Sequence, residues 1–370
     1  MKYVRMALEK ESPEELGYGN IRFNLSESSI ADRRMGEFSV DLSDLVLLYG
    51  DHKGLPELRE LVAHQTAQES ISTSDVLLTS GAAGALFIIS TSLLNSESHL
   101  VVVRPNYSTN LETPRAIGCE ISYVDLSHEE GFRLDLAAVE SAITSRTKLI
   151  SITCPHNPTG TVMPWTDLLA LEKLAEKYDC RLLVDETYRD LTAAEPYPCA
   201  AGISSRVIAV SSVSKAYGAP GLRVGWLVTK NPELYELFLA AKEQIGICGS
   251  IVDENLALAV LEQRDVWLRT VRGERAERLE IIQEWVDSDE LIDWVRPEGG
   301  VVCFPWMKVP ASFDFDQFYS RLLAEHGTYV GPGHWFEMPR NFMRIGFSWP
   351  TVDELKAGLS GISLALRQTL

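Results

Sequence analysis

The sequence predicts an α/β fold: a large domain on a mostly parallel sheet flanked by helices, then a smaller α+β domain. Three observations predict it. From about residue 75 to 230, short apolar runs of strand length alternate with segments of helical spacing. Most of these runs end in loops of Ser, Gly, Asn, Asp, Tyr or Pro, where α/β sheets hold their ligands. The chain has 370 residues, long for a single core. The expected division is an N-terminal segment, 1–45, joining the small domain; a large ligand-binding domain, 46–245; and a small C-terminal domain, 246–370.

Residues 1–35 are mixed, with a short helix expected near 6–15 and a polar loop at Asn24–Ser29 whose NH groups and hydroxyls suit the lining of a site. An ordinary surface connection is the alternative there. Tyr49 precedes a Gly-rich turn and a helix with Pro56 in its first turn. Taken alone, Tyr49 reads as a core aromatic or as a phenol that reaches a phosphate. The strand 75–79 ends in Ser80-Gly81-Ala82-Ala83-Gly84, followed by an apolar helix from Ala85. Small residues opening a helix leave NH groups free for an anion, although they also occur at plain β–α turns.

Next come the strand 99–103 with Tyr107 in the loop after it, the strand 118–124, and a helix at 135–142. The strand 149–153 runs into Cys154-Pro155-His156-Asn157-Pro158-Thr159-Gly160, a rigid loop that can aim the Asn157 amide. The strand 180–184 ends in Asp185-Glu186-Thr187-Tyr188, placing a carboxylate where a ring nitrogen could meet it. The strand 207–210 leads to Ser211-Ser212-Val213-Ser214-Lys215, with Arg223 eight positions on and another apolar run at 224–228. A lysine there can form a Schiff base with an aldehyde while Ser and Arg hold an anion; a solvated loop lysine is the plain alternative.

Beyond 230, helices are expected at 232–246, 253–285 and 313–325, a strand at 301–306, and a tight turn at 329–333. Arg344 stands in the apolar run 342–347. A buried guanidinium needs an anion, and a carboxylate ligand suits it; a rim arginine reaching water is the alternative.

Composition sets further bounds. The net charge of −18 argues against nonspecific nucleic-acid binding and tolerates a cationic small substrate. Six scattered cysteines without a CxxC pair read as reduced thiols of a cytoplasmic protein, not as disulfides or metal ligands. No run reaches membrane-spanning length and no signal core opens the chain.

Taken as an ordered set, Tyr49-Gly50, Ser80-Gly81-Ala82-Ala83, Asn157-Pro158-Thr159-Gly160, Asp185-Glu186-Thr187-Tyr188, Ser212-Val213-Ser214-Lys215 with Arg223, and Arg344-Ile345-Gly346-Phe347 carry a resemblance. The chain resembles the class I/II aminotransferases, fold-type I enzymes that use pyridoxal 5'-phosphate. The resemblance runs from about residue 20 to 365. It implies a seven-stranded large domain, a homodimer with shared active sites, and small-molecule substrates: an amino acid and a 2-oxo acid. It implies that Lys215 holds the cofactor, Asp185 meets its ring nitrogen, and Asn157 and Tyr188 contact its phenolate. Tyr107 would stack on the ring. The Ala82 and Ala83 backbone, Ser212, Ser214 and Arg223 would bind the phosphate, Tyr49 that of the partner subunit, and Arg344 the substrate carboxylate.

For the substrate side chain, Ser29, Asp253 and Glu254 are the candidates. The two carboxylates suit a basic amino acid such as arginine, although they also suit a helix N-terminus. The loop 26–34 and Tyr188-Arg189 faintly resemble the branch of arginine oxidases and capreomycidine synthase. Those members carry a histidine near the cofactor where Arg34 stands here, which favours plain transamination over oxidation or cyclisation. A non-catalytic regulator of aminotransferase type would follow a basic helix-turn-helix segment, for which this chain starts too close to the fold.

Overall fold

A computed structural model of the protein describes residues 1–38, 40–192 and 198–370. Its centre is a seven-stranded sheet. The strands are β1 (Val76–Thr79), β2 (His99–Arg104), β3 (Glu120–Asp125), β4 (Thr147–Thr153), β5 (Arg181–Asp185), β6 (Val207–Ser212) and β7 (Gly225–Thr229), in the order β1-β7-β6-β5-β4-β2-β3. All run parallel except β7, which is antiparallel to both neighbours. This places the loops after β1, β2, β4, β5 and β6 along one edge of the sheet.

Both sheet faces are covered, so the central strands are buried along most of their length, whereas the edge strand β3 is partly exposed. Leu100, Val102, Leu183 and Ile208 pack on one face under the helices Gly81–Leu93 and Pro232–Gly246. Val101, Val103, Leu182 and Val184 pack on the other under the helix Trp165–Lys177. Alternating side chains thus enter two different cores, as the pleat requires.

The remainder is α+β. Met343–Gly346 forms the middle strand between Val302–Cys303 and Gly331–Pro332, and Phe23–Asn24 pairs in parallel with Thr328–Tyr329. The N-terminal segment therefore pairs with the C-terminal part of the chain. The helices Arg264–Ser288, Phe315–Ala324 and Val352–Thr369 accompany these strands.

Several local expectations are corrected. The single helix near 6–15 is two, Ala7–Lys10 and Pro13–Leu16, because Pro13 cannot continue the first. The helix after β1 begins at Gly81, so Ala82 and Ala83 form its first turn rather than a preceding loop. The strand expected at 301–306 is interrupted after Cys303 and resumes as Trp306–Met307, with Pro305, which has no NH for a ladder, in the gap. The 329–333 stretch contains the Gly331–Pro332 strand instead of a tight turn. The 253–285 helix is two, Ile251–Glu262 and Arg264–Ser288. Tyr49 is not a core aromatic: it is 77 % exposed. All six cysteines are free. Among the described residues no helix is long and apolar enough to cross a membrane, and no cluster of metal-ligating side chains occurs.

Candidate active site

A cleft of about 730 Å³ opens at the edge where the sheet loops gather. Five elements of the large sheet deliver side chains to it. Ala82 and Ala83 come after β1, Tyr107 after β2, Asn157 after β4, Asp185 and Tyr188 after β5, and Ser212, Ser214, Lys215 and Arg223 from the β6–β7 connection. Arg344 enters from the small-domain strand, and Ser26, Glu27 and Ser28 from the N-terminal loop.

At one end of the cleft stands a helix start. Ser80 caps the helix Gly81–Leu93 without a side-chain bond to its first NH groups. Arg223 lies directly against it. A Cβ on Gly81 would meet Arg223 Nη2 at 2.6 Å, and Gly81 has φ +70°, so glycine is required twice over. Arg223 donates to the Pro220 carbonyl at 2.9 Å and makes no ion pair among the described residues. Free helix NH groups, two serines and an unpaired guanidinium form a site for a phosphate-like anion.

The loop Ser26–Ser28 organises the other end. Arg344 is only 5 % exposed. Its Nη2 donates to the Ser26 carbonyl at 2.7 Å and its Nη1 to Asn157 Oδ1 at 3.3 Å, while its Nε has no partner. Lys215 Nζ donates to Ser28 Oγ at 3.0 Å, and the Tyr188 hydroxyl donates to the Ser28 carbonyl at 2.6 Å. The Ile30 NH bonds the Lys215 carbonyl at 3.2 Å, which draws the loop along the lysine.

Burial governs the ionisation of these groups. Enclosure by protein pulls the Lys215 amine below its usual range, and the nearby Arg344 guanidinium adds to this. A lysine so placed loses its proton more easily and gains as a nucleophile and base. Burial pushes the Asp185 carboxyl up; the Thr187 NH (3.1 Å) and hydroxyl (2.6 Å) donate to Oδ1 and oppose the rise. Burial lifts Tyr188 to about 12 and lowers Arg344. Among the described residues Asp185 thus has no cation in ion-pair contact, and Arg223 and Arg344 no anion.

A family model for aminotransferase class I and II matches residues 15–362. The chain belongs to the class I and II aminotransferases. It is accordingly a pyridoxal-phosphate-dependent enzyme of aminotransferase type. It is 30 % identical over 358 residues to capreomycidine synthase of Streptomyces vinaceus, covering 94 % of this chain and 90 % of that protein. It is 28 % identical over 298 residues to an arginine–pyruvate transaminase of Pseudomonas aeruginosa, covering 78 % and 74 %. Among solved structures, a PLP-dependent aminotransferase from Streptococcus suis superposes with a TM-score of 0.92 at 26 % identity, over 100 % of this chain and 99 % of that one.

The residues present fit pyridoxal phosphate. The unpaired Arg223 beside a helix start suits its phosphate, the amine of Lys215 its aldehyde, and the cation-poor Asp185 its ring nitrogen. Three substrate-side candidates do not line the cleft. Ser29 is buried and is not among the residues lining the cleft; its neighbour Ser28 takes the lysine bond. Asp253 and Glu254 open the helix Ile251–Glu262, where Ser250 Oγ caps Asp253 NH at 3.3 Å and Glu254 Oε2 accepts from Leu55 NH at 2.7 Å. Tyr49 does not line this chain's cleft. Arg34 is also outside it, exposed at the start of a short 3-10 turn.

From sequence Glu27 and Ser28 stand out only as members of the polar loop 24–29, and the wall formed by residues 4–15 carries no such signal. Only the path of the loop past Lys215 separates Ser28 from Ser29, and no sequence pattern carries that. For Glu27 a signal existed: a carboxylate inside the polar loop already read as a possible site lining.

Proposed function

We propose that this enzyme transaminates an L-amino acid with a basic side chain, such as arginine, to its 2-oxo acid, with a second 2-oxo acid as acceptor. One observation carries the reading. Lys215 and Arg344 are anchored on residues only two apart, Ser28 and Ser26. Two residues span at most about 7 Å of chain, so both groups can reach one small ligand that carries an amine and a carboxylate. Arg344 grips the α-carboxylate; its unpartnered Nε gains a bond when it does. Asn157 steadies the guanidinium from the side. The bound cofactor supplies an electron sink for the bond-breaking at Cα. Asp185 holds the proton on the ring nitrogen. The Lys215 amine, its proton affinity reduced, takes the proton from Cα and would deliver it to the cofactor's aldehyde carbon. Tyr188 and Asn157 contact the ring oxygen, Tyr107 covers the ring, and Ala82, Ala83, Ser212, Ser214 and Arg223 hold the phosphate.

The similarity to an arginine–pyruvate transaminase supports the basic substrate. The second reading, a cyclising or oxygen-using enzyme on arginine, has the capreomycidine synthase similarity in its favour. Incubation with arginine and pyruvate under nitrogen separates the two. Formation of 2-oxo-5-guanidinopentanoate and alanine supports transamination. Product that forms only in air, or a cyclised product with no alanine, supports the second reading.

The division into large (46–245) and small (246–370) domains, with 1–45 joining the latter, fits the strand pairing of Phe23–Asn24. A homodimer with shared sites fits the run Val46, Leu47, Leu48 and Tyr49, all exposed in the single chain. Tyr49 would then reach the partner's phosphate site. Sedimentation of the holoenzyme as a monomer at micromolar concentration would argue against it.

A further inference from the structure

Inside the cleft, Glu27 has no cation of its own. It sits between Ser26, whose carbonyl accepts from Arg344, and Ser28, whose hydroxyl accepts from Lys215. The Tyr18 hydroxyl donates to its Oε1 at 3.0 Å, and it makes no ion pair among the described residues. Its place is set by a backbone contact. A Cβ on Gly346 would lie 1.5 Å from the Glu27 carbonyl oxygen, and Gly346 NH donates to the Leu25 carbonyl at 2.7 Å. The loop bearing Glu27 therefore lies flat on the strand bearing Arg344, two residues from it.

From the N-terminal wall, Glu14 faces the same space. Glu15 is matched by Arg5 at 2.7 Å, whereas Glu14 has no ion pair among the described residues. Burial pushes the Glu27 carboxyl up; Lys215 works against this, and Glu14 adds to it. Carboxylates grouped at a surface would mean little. Here an independent feature points to a ligand: Arg344, 5 % exposed and lining the same cleft, has an Nε with no partner. A ligand whose carboxylate meets Arg344 and whose amine meets Lys215 keeps its side chain in this cleft, where Glu27 and Glu14 are carboxylates without an ion pair.

Resting on the transamination reading above, we propose that Glu27, backed by Glu14, is the specificity-determining residue that accepts the cationic end of a basic substrate side chain. Asp253 and Glu254, engaged at a helix start, are then not needed for this role. Tyr18 occupies one lone pair of Oε1 and orients the carboxylate. The remaining lone pairs can receive two NH donors of a guanidinium.

The test uses two probes that lack an α-amine and so cannot react: 5-guanidinopentanoate and its uncharged counterpart 5-ureidopentanoate. Calorimetric titration of the holoenzyme should show the guanidino probe bound about 10- to 100-fold more tightly, the range for one charge-assisted contact. Glu27→Gln should bring the two within about threefold of each other, and measurable binding of the ureido probe shows the cleft intact. Glu27→Asp should be intermediate and serves if the Gln variant does not fold. Arg344→Lys should weaken both probes alike. Retention of the wild-type preference in Glu27→Gln and in the double variant with Glu14→Gln overturns the role of Glu27 but leaves a basic substrate standing. Equal binding of the two probes by the wild type overturns the basic-substrate reading, and this proposal with it.

Discussion

Asp185 and Glu186 are neighbours in sequence, both buried, yet they belong to opposite kinds of charge cluster. Glu186 faces a matched group. Its Oε1 accepts from Ala200 NH at 2.6 Å, Arg189 lies 4.0 Å away, and Asp190 takes Arg264 at 2.7 Å and the Tyr217 hydroxyl. Two carboxylates meet two guanidinia, and Arg189 spends further donors on the Thr66 and Gln65 carbonyls. Asp185 faces the cleft, where Lys215, Arg223, Arg344 and Glu27 have no ion pair within 4.0 Å among the described residues. Buried charges are tolerated when paired and expensive when not. The matched cluster ties the segment after β5 to the long helix Arg264–Ser288. The unmatched one is a cost that only bound ligands remove, and it marks the site.

The comparison breaks if the two clusters respond alike to mutation. The largest expected effect is at Lys215. Lys215→Ala should reduce turnover by about 10⁴-fold, as for removal of a nucleophile and base together, in a steady-state assay. The thermal midpoint of its cofactor-free form should not fall, because the lost amine had no counter-ion. The opposite pattern is expected at Asp190. Burial pushes its carboxyl up, but Arg189 and Arg264 outweigh this and hold it below the usual range. Asp190→Asn should lose about 3 kcal/mol of stability to urea and still bind cofactor. Its sign with pH follows. A depressed carboxyl stabilises above its unfolded value, so the gap between wild type and variant should be full at neutral pH and close below about pH 4.

Arg344→Lys sharpens the same contrast at smaller scale. A point charge cannot reproduce the fork, so kcat/KM should drop about 100-fold, mostly through KM, without loss of stability. Smallest is Gly81→Ala. Its methyl would press on Arg223 Nη2 and its φ is positive, so the phosphate end should loosen and cofactor affinity fall about tenfold, measured by equilibrium dialysis.

Much of this was legible in the sequence because it is local. Strand period and the small polar residues after each strand locate Ala82, Tyr107, Asn157, Asp185 and Lys215 at one sheet edge without any knowledge of packing. What was not legible depends on distant segments meeting. Glu254 reads as a free carboxylate until Leu55 NH is seen to bond it. Ser28 and Ser29 are alike until the Ile30 NH is fixed to the Lys215 carbonyl. Tyr49 reads as core until its surroundings prove to be open to solvent in the single chain. Pairing is a property of three-dimensional neighbours, so the sequence names the charges but not which of them are compensated.

Lys215 is the amine proposed to carry the cofactor. Borohydride reduction of the holoenzyme, followed by proteolysis and mass spectrometry of the peptides, tests it directly. A pyridoxyl group is expected on the peptide containing Lys215 and on no other lysine; a label on another residue, or none with activity intact, would contradict this role of Lys215.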